Sequence, residues 1–449
     1  MEPIALILTA LAAGVTSAVQ EPVKMAAKDA YDYLKGLLKR KLEEKGDNDA
    51  GHLIDNPDEQ NKPLLEARLK KAGIDKMPDV IAAANKVTVI CRPHINTAPY
   101  LENYQSLLQQ SPLIRIQAPD KMGKTRLVNH IFDSFNSEHY QKVKLSMEDF
   151  DTEDKARSGI LLYRFCQEIE NQLSLPHSVR GHWESIRDGG NKSKCTSYFE
   201  HCLLPDAESP IVIVIDDLNS LASYDSTYKD FCSLLRSFYN MSAPSSEKYR
   251  EKWKKLGLII AYSGKPLLPE RDSPFNVGKL IQLPEFTVDE VQSLAMQYKI
   301  QMDSTTISLI MRLVGGHPYL ISLSFEHLRN INLNSQEDIN NFITQSSTQR
   351  GIYSEHLNKL HRKIQDDQLN KLHRKIQDDQ LNKLHRKIQD DQLKQALYRV
   401  VRSQNPVRLN SQIVEKLEEI GLIKSSGTGT DFVEPFCELY RVFFNSIIK

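Results

Sequence analysis

The chain has 449 residues, with 58 Lys and Arg against 58 Asp and Glu, so its formal net charge is zero. That length leaves room for roughly two to four domains and a large core. Neutrality excludes a global field that would draw the chain to nucleic acid or an acidic membrane. Six scattered cysteines (Cys91, Cys166, Cys195, Cys202, Cys232, Cys437) include no close pair at zinc spacing, which suits reduced cytoplasmic thiols. The apolar run from Ile4 to Val19 lacks a basic flank and is too short and too interrupted by Thr and Ser to span a bilayer. A soluble cytoplasmic protein is expected, without a membrane partner.

Residues 1–86 read as an all-helical N-terminal module. Val23 to Lys45 carries Ala26, Ala30, Leu34, Leu37 and Leu38 at helical spacing and ends on Lys39, Arg40 and Lys41, which suit the negative end of a helix dipole. Gly46-Asp47-Asn48-Asp49 breaks the pattern, and Leu64–Ala72 and Val80–Ala84 suggest two shorter helices. The basic end is either a solvated face of a bundle or part of a surface that docks a partner.

Across 87–286 strands alternate with helices. Strands are expected at Leu113–Gln117, Val143–Met147, Ile211–Ile215, Leu258–Tyr262 and Leu280–Leu283, with helices at Lys124–Ser137 and Asp154–Leu173 among the segments between them. Continuous β-branched runs such as Ile211-Val212-Ile213-Val214-Ile215 are what strands buried on both faces look like, so the sheet is expected to be parallel.

The first strand runs into Ala118-Pro119-Asp120-Lys121-Met122-Gly123-Lys124-Thr125-Arg126, a phosphate-binding loop with Ala118 in the place of its first glycine. Gly123 lets the backbone approach phosphate oxygens, and free N–H groups at the helix start face an anion. Lys124 adds charge near the terminal phosphates, and Thr125 offers a hydroxyl to Mg²⁺. The third strand ends in Asp216-Asp217. At that place the first acid holds Mg²⁺ and the next can orient and deprotonate an attacking water. The order of the two motifs, with one strand and helix unit between them, points to ATP or ADP with Mg²⁺ as the ligand.

From Val87 to the C-terminus the chain resembles the AAA-like domain family common in cyanobacteria, related to STAND-type signal-transducing ATPases. The residues that carry the likeness are Arg92-Pro93, the loop from Ile114 to Thr125, Cys195-Thr196-Ser197-Tyr198-Phe199-Glu200 and the Asp216-Asp217 strand. They continue through Ser273-Pro274-Phe275-Asn276-Val277-Gly278, Leu283-Pro284-Glu285-Phe286-Thr287, Gly315-Gly316-His317-Pro318-Tyr319-Leu320 and Cys437-Glu438-Leu439-Tyr440-Arg441. Ala118 is usual in that family. Two departures stand out: Asp120-Lys121 replaces the family's Arg-Gln and puts an acid beside the phosphates, and Asp217 replaces a glutamate. The resemblance implies a P-loop NTPase core and assigns nucleotide contacts to Ala118, Met122, Gly123, Lys124, Thr125 and Arg126. It adds Ser263 as a sensor of the terminal phosphate and His317 and Pro318 as lid contacts. Mg²⁺ falls to Thr125 and Asp216, and catalysis to Asp217 with Lys124.

Residues 287–350 form the expected helical lid, opened by the capping-box pattern Thr287-Val288-Asp289-Glu290. Within 351–392 stand three identical copies of Leu-Asn-Lys-Leu-His-Arg-Lys-Ile-Gln-Asp-Asp-Gln, beginning at Leu357. A twelve-residue step turns an ideal helix by about 120° beyond whole turns. The three apolar stripes, and His361, His373 and His385, therefore face different directions, as in a solvated helical spacer rather than a metal site. Residues 393–449 pattern as two helices (Leu393–Val401 and Ser411–Ile420), a Gly-containing hairpin (Ser425–Thr430) and a third helix (Cys437–Ile448), resembling a winged helix. The helix before the hairpin carries Glu415, Glu418 and Glu419, the wrong sign for DNA phosphates, so a structural role is expected. The whole reads as a multi-domain α/β protein. As a STAND-like ATP/ADP switch in bacterial signalling or conflict response, it would hydrolyse slowly, self-associate with nucleotide and dock a protein partner through residues 1–86. A non-catalytic nucleotide-binding scaffold and a DNA-associated ATPase regulator are the rival readings.

Overall fold

The computed structural model describes residues 3–4, 7–8, 10–11, 21–47, 51–55, 61–91, 104–174, 178–263, 273–329, 336–346, 351–362, 392–426 and 432–447. The chain divides into two compact units, Met1–His94 and Ile95–Lys449. Among the described residues the first contains only helices, chiefly α1 (Glu21–Glu44), α2 (Gly51–Asp55), α3 (Lys62–Lys71) and α4 (Pro78–Cys91). Leu34, Leu38, Leu53, Leu65, Leu69, Val80 and Ala84 bury their side chains in one core. The basic end of α1 is partly spent inside the unit. Lys35 and Lys39 lie 2.9 and 2.7 Å from Asp55, holding its carboxyl below the usual range chiefly through the Lys39 hydrogen bond. α4 runs unbroken past Val87, so the change of texture there does not mark the end of an element.

The second unit begins with α5 (Tyr104–Gln110) and is built on five strands, β1 (Leu113–Gln117), β2 (Gln141–Ser146), β3 (Ile211–Asp216), β4 (Leu256–Tyr262) and β5 (Lys279–Gln282). They pair in the order β2-β3-β4-β1-β5, every neighbouring pair parallel. Alternation through β3 explains its unbroken apolar run. Ile211, Ile213 and Ile215 face one core with Leu161, Phe165 and Ile169 of α8 (Ser158–Leu173), while Val212 and Val214 face the other. There they share space with Leu127, Val128 and Ile131 of α6 (Lys124–Ser134). The expected helix over Asp154–Leu173 is interrupted: α7 (Thr152–Ala156) precedes α8, and Arg157 between them is extended, at φ −129° and ψ 112°. Three further helices stand where the sequence reading names none, α9 (Val179–Ser185), α10 (Asn191–Tyr198) and α11 (Asp225–Ser242).

Beyond the sheet come α12 (Val288–Gln297), α13 (Ser304–Val314), α14 (Pro318–Leu328) and α15 (Gln336–Ser346). The capping box forms at α12: Thr287 Oγ1 accepts from the Glu290 amide at 3.3 Å, and the Glu290 carboxylate accepts from the Thr287 amide at 2.8 Å. A small antiparallel sheet follows, order β6-β8-β7, from β6 (Val407–Arg408), β7 (Ile423–Ser425) and β8 (Phe432–Pro435). α16 (Ser411–Ile420) and α17 (Glu438–Ile447) accompany it. Residues 427–431 and 363–391, hence most of the hairpin tip and the later repeat copies with His373 and His385, lie outside the described residues. The start of the first copy corrects the expectation of a solvated spacer: residues 354–362 are helical, with Leu357 and Leu360 buried in the core of the lid and C-terminal helices.

Candidate functional site

β1 lies between β4 and β5, and the loop after it opens at the C-terminal edge of the sheet, where the strand order of a parallel sheet leaves a crevice. Gly123 caps α6 at φ +99° with nothing within 4 Å of an added Cβ, so conformation rather than crowding demands glycine there. Lys124 is 8% exposed, and a buried ammonium needs compensation. Its Nζ donates to the carbonyls of Ala118 and Pro119, both at 2.9 Å, and to Ser263 Oγ at 3.0 Å. Ser263 Oγ in turn donates to Asp120 Oδ1 at 2.8 Å, and that oxygen stands 3.9 Å from Lys124 Nζ.

β3 delivers the acidic pair. Asp216 is buried, and its Oδ1 accepts from the Asp217 amide at 2.9 Å. Asp217 adopts a left-handed backbone at φ +53°, and its Oδ2 accepts from Ser146 Oγ at 3.2 Å. Burial, then the neighbouring Asp216 charge, raises its pKa above the ordinary carboxylate value, against opposing pulls from Ser146 and Lys124. Because β2, β3 and β4 are adjacent, Ser146, the acid pair and Ser263 end on one edge of the sheet. Asn219 joins them: it accepts from the Ser263 amide, and its Nδ2 donates to Glu419 Oε1 of α16 at 3.5 Å.

The candidate residues differ in what they can offer. Thr125 is exposed at the start of α6, and Arg126 is partly exposed. Ala118 and Met122 are buried in one core with lid and C-terminal residues such as Val291, Leu320, Leu417 and Tyr440, leaving their backbones as possible ligand groups. His317 caps α14 and Pro318 occupies its first turn. The His317 ring is 2% exposed, and burial, reinforced by His356 and Lys121, lowers its pKa to about 3, so it is neutral at physiological pH. It lies 5.6 Å from the His356 and Phe436 rings, and its Nδ1 has no hydrogen-bond partner among the described residues. Pro318 is followed by Tyr319, whose ring sits 3.7 Å below Lys121 Nζ, a cation–π contact from loop to lid.

Three further residues join loop, lid and small sheet. Glu285 Oε2 accepts from the Gly316 amide at 2.9 Å while its Oε1 takes Lys424 Nζ at 3.0 Å, tying lid to small sheet. Gly421, the left-handed cap of α16, abuts Pro119, where an added Cβ would lie 2.8 Å from the proline Cβ. Glu285 stands in the Leu283–Thr287 motif, yet its link to Lys424 spans 139 positions, and Gly421 and Pro119 are likewise far apart in sequence, so no local pattern announces either contact.

No helix among the described residues is long and apolar enough to cross a membrane, and no cluster of three or more metal-ligating side chains is found among them. Cys166, Cys195, Cys202, Cys232 and Cys437 are free and buried. Residues 82–378 and 369–446 match the AAA-like domain, and residues 1–110 match the Het-E N-terminal domain. No curated protein matches the chain. In structure it is similar to a Walker-type ATPase of Pyrococcus abyssi at 11% identity, TM-score 0.49, covering 79% of this chain and 97% of that one. The Drosophila origin recognition complex bound to DNA aligns at 12% identity, TM-score 0.29, over 56% of each chain. The Thermotoga maritima RuvB Holliday junction branch migration motor aligns at 10%, TM-score 0.35, over 76% of this chain and 92% of that one. With the match extending over most of its length, the chain belongs to the AAA-like domain family.

Proposed function

We infer that the chain is an ATP/ADP-binding switch that hydrolyses slowly, of the STAND-like kind used in bacterial signalling or conflict response. The observation that carries this reading is the shared core: Ala118 and Met122 of the loop are buried together with lid and C-terminal side chains, and Pro119 abuts Gly421. A ligand that re-forms the loop around Lys124 must disturb that packing, because close-packed interfaces shift between discrete arrangements rather than deforming smoothly.

The residues fit nucleotide and Mg²⁺. A glycine-capped helix start and a compensated lysine suit phosphates, and the Thr125 hydroxyl and Asp216 carboxylate are the hard oxygen donors that Mg²⁺ prefers. When bound, the nucleotide supplies the phosphoanhydride to be cleaved and the cation offsets its charge. Asp217 orients and deprotonates the attacking water, while Lys124 and Ser263 hold the terminal phosphate. His317 and Pro318 carry the lid's response. The C-terminal segment serves as a winged-helix-like structural domain, and acidic α16 argues against a DNA surface. Residues 1–86 present a docking surface to a protein partner in the cytoplasm, and nucleotide state controls self-association.

The test is the nucleotide released by denaturing purified wild type and Lys124→Ala. Wild type is expected to release ADP or ATP, and the variant to bind about 10–100-fold more weakly, the worth of one charged hydrogen bond. An empty wild type that also takes up no added ATP–Mg²⁺ would leave a scaffold without nucleotide. Bound nucleotide without turnover would instead support a non-catalytic nucleotide-binding scaffold.

A further inference from the structure

We propose that Asp120 is the specificity-determining residue of this loop, selecting a nucleoside diphosphate over the triphosphate. The proposal rests on reading the loop as a nucleotide site and adds what that reading leaves open, namely which phosphate chain the site prefers.

The argument is one of charge and of hydrogen-bond inventory. An ammonium has three protons, and those of Lys124 go to the Ala118 and Pro119 carbonyls and to Ser263 Oγ. A hydroxyl has one proton, and that of Ser263 goes to Asp120 Oδ1. The chain of donors that runs from Lys124 through Ser263 therefore ends on a carboxylate contributed by the loop itself. Phosphate-loop lysines reach toward the β- and γ-phosphates, so a carboxylate oxygen 3.9 Å from Lys124 Nζ stands where a terminal phosphate is to be received.

A third phosphate meets two costs there that a diphosphate largely avoids. It must take over the Ser263 proton and part of the Lys124 charge that Asp120 now uses. It must also bring its own negative charge close to a carboxylate that is only 33% exposed, where solvent screens incompletely. Mg²⁺ softens the second cost and leaves the first. Asp120 acts here by occupying the hydrogen-bond partners of the terminal phosphate, which is a different matter from balancing the charge of Lys124. A residue that only balanced charge would weaken both nucleotides alike.

Calorimetric titration of the full chain with ADP and with ATP, each with Mg²⁺, separates these cases. Asp120→Asn keeps an oxygen for Ser263 and removes the charge. Asp120→Ser removes the reach as well, and guards against a misfolded or badly hydrogen-bonded amide. In Asp120→Ser ATP is expected to tighten by about tenfold, which is about 1.4 kcal/mol, in Asp120→Asn by less because an acceptor for Ser263 remains, and in both variants ADP by less than about threefold. The wild-type preference for ADP is expected to shrink as salt is raised, since screening weakens the repulsion. An ADP-to-ATP affinity ratio unchanged in both variants, or both nucleotides tightened equally, overturns the proposal while leaving nucleotide binding intact. Failure of wild type and variants to bind either nucleotide overturns the nucleotide reading itself, and the proposal with it.

Discussion

Gly316→Ala is expected to lower the stability of the second unit by about 3 kcal/mol, the upper end of ordinary overpacking. The added Cβ would stand 2.4 Å from the Phe286 carbonyl oxygen, 2.7 Å from the Phe286 nitrogen and 2.7 Å from Glu285 Cβ. Two of these are backbone atoms, so no change of rotamer relieves them. The same contact is a hydrogen-bonded clasp: Phe286 N donates to Gly316 O at 2.8 Å, and Gly316 N donates to Glu285 Oε2. Prising the clasp apart also loosens Lys424, held on the other oxygen of Glu285, so the lid and the small sheet should weaken together. Urea unfolding measures the loss, and Gly36→Ala supplies the contrast. Gly36 lies inside α1 with nothing within 4 Å of an added Cβ, and the substitution should stabilise the helical unit by about 0.5–1 kcal/mol. A Gly316→Ala midpoint equal to that of wild type would mean that this close approach is absent in solution.

How much of this was legible in the sequence depends on how far a residue acts. β1 is found at Leu113–Gln117 as read, and β2 to β5 within a few residues of their expected ends, because apolar, mostly β-branched runs bounded by polar turns leave few alternatives. The capping box at Thr287 was equally plain, being a three-residue spacing. The break at Arg157 has a local mark in the Ser158-Gly159 pair that follows it, a turn-type dipeptide that one continuous helix over Asp154–Leu173 passes over. Asp120 could be flagged as an acid in an unusual place, yet its link to Ser263 spans 143 positions and only folding brings the two together. Asn219 and Lys424 look like ordinary surface polar residues in the sequence, and the Leu283–Thr287 motif that holds Glu285 does not say what its carboxylate meets. Their parts depend on strand order and on the packing of the C-terminal segment, neither of which leaves a local mark. Leu357 and Leu360 misled for a related reason: a repeated pattern was read as one uniform element, whereas the first copy begins inside a core.

Asp217→Asn is expected to cut ATP hydrolysis by about 10²-fold or more, the range for loss of a positioned base, while nucleotide affinity changes by less than about threefold. The substitution is clean on structural grounds. Asp217 sits at φ +53°, a conformation that Asp and Asn tolerate because of their short polar side chains, and Asn keeps an oxygen to accept from Ser146 Oγ. The left-handed turn also suits the short side chain of Asp better than a longer carboxylic one. The raised pKa of Asp217 predicts an effect on stability of the opposite sense to the loss of activity. Its carboxyl titrates near 3.8 when unfolded and higher when folded, because burial and Asp216 disfavour the charge. Between those values the folded state binds more protons, so stability falls as pH rises, and the penalty is fully present above the folded pKa. Neutral Asn lacks that penalty. Asp217→Asn should therefore melt at a higher temperature than wild type near pH 7, and the difference should vanish as pH falls toward 3.8. The rate of wild type should decline with acid, since only the carboxylate can take the water's proton. Phosphate release and melting curves on the two proteins, taken across pH, read both effects. Unchanged hydrolysis in the variant would remove Asp217 from the chemistry, and a lower melting temperature at neutral pH would mean that the carboxylate is stabilised where it stands.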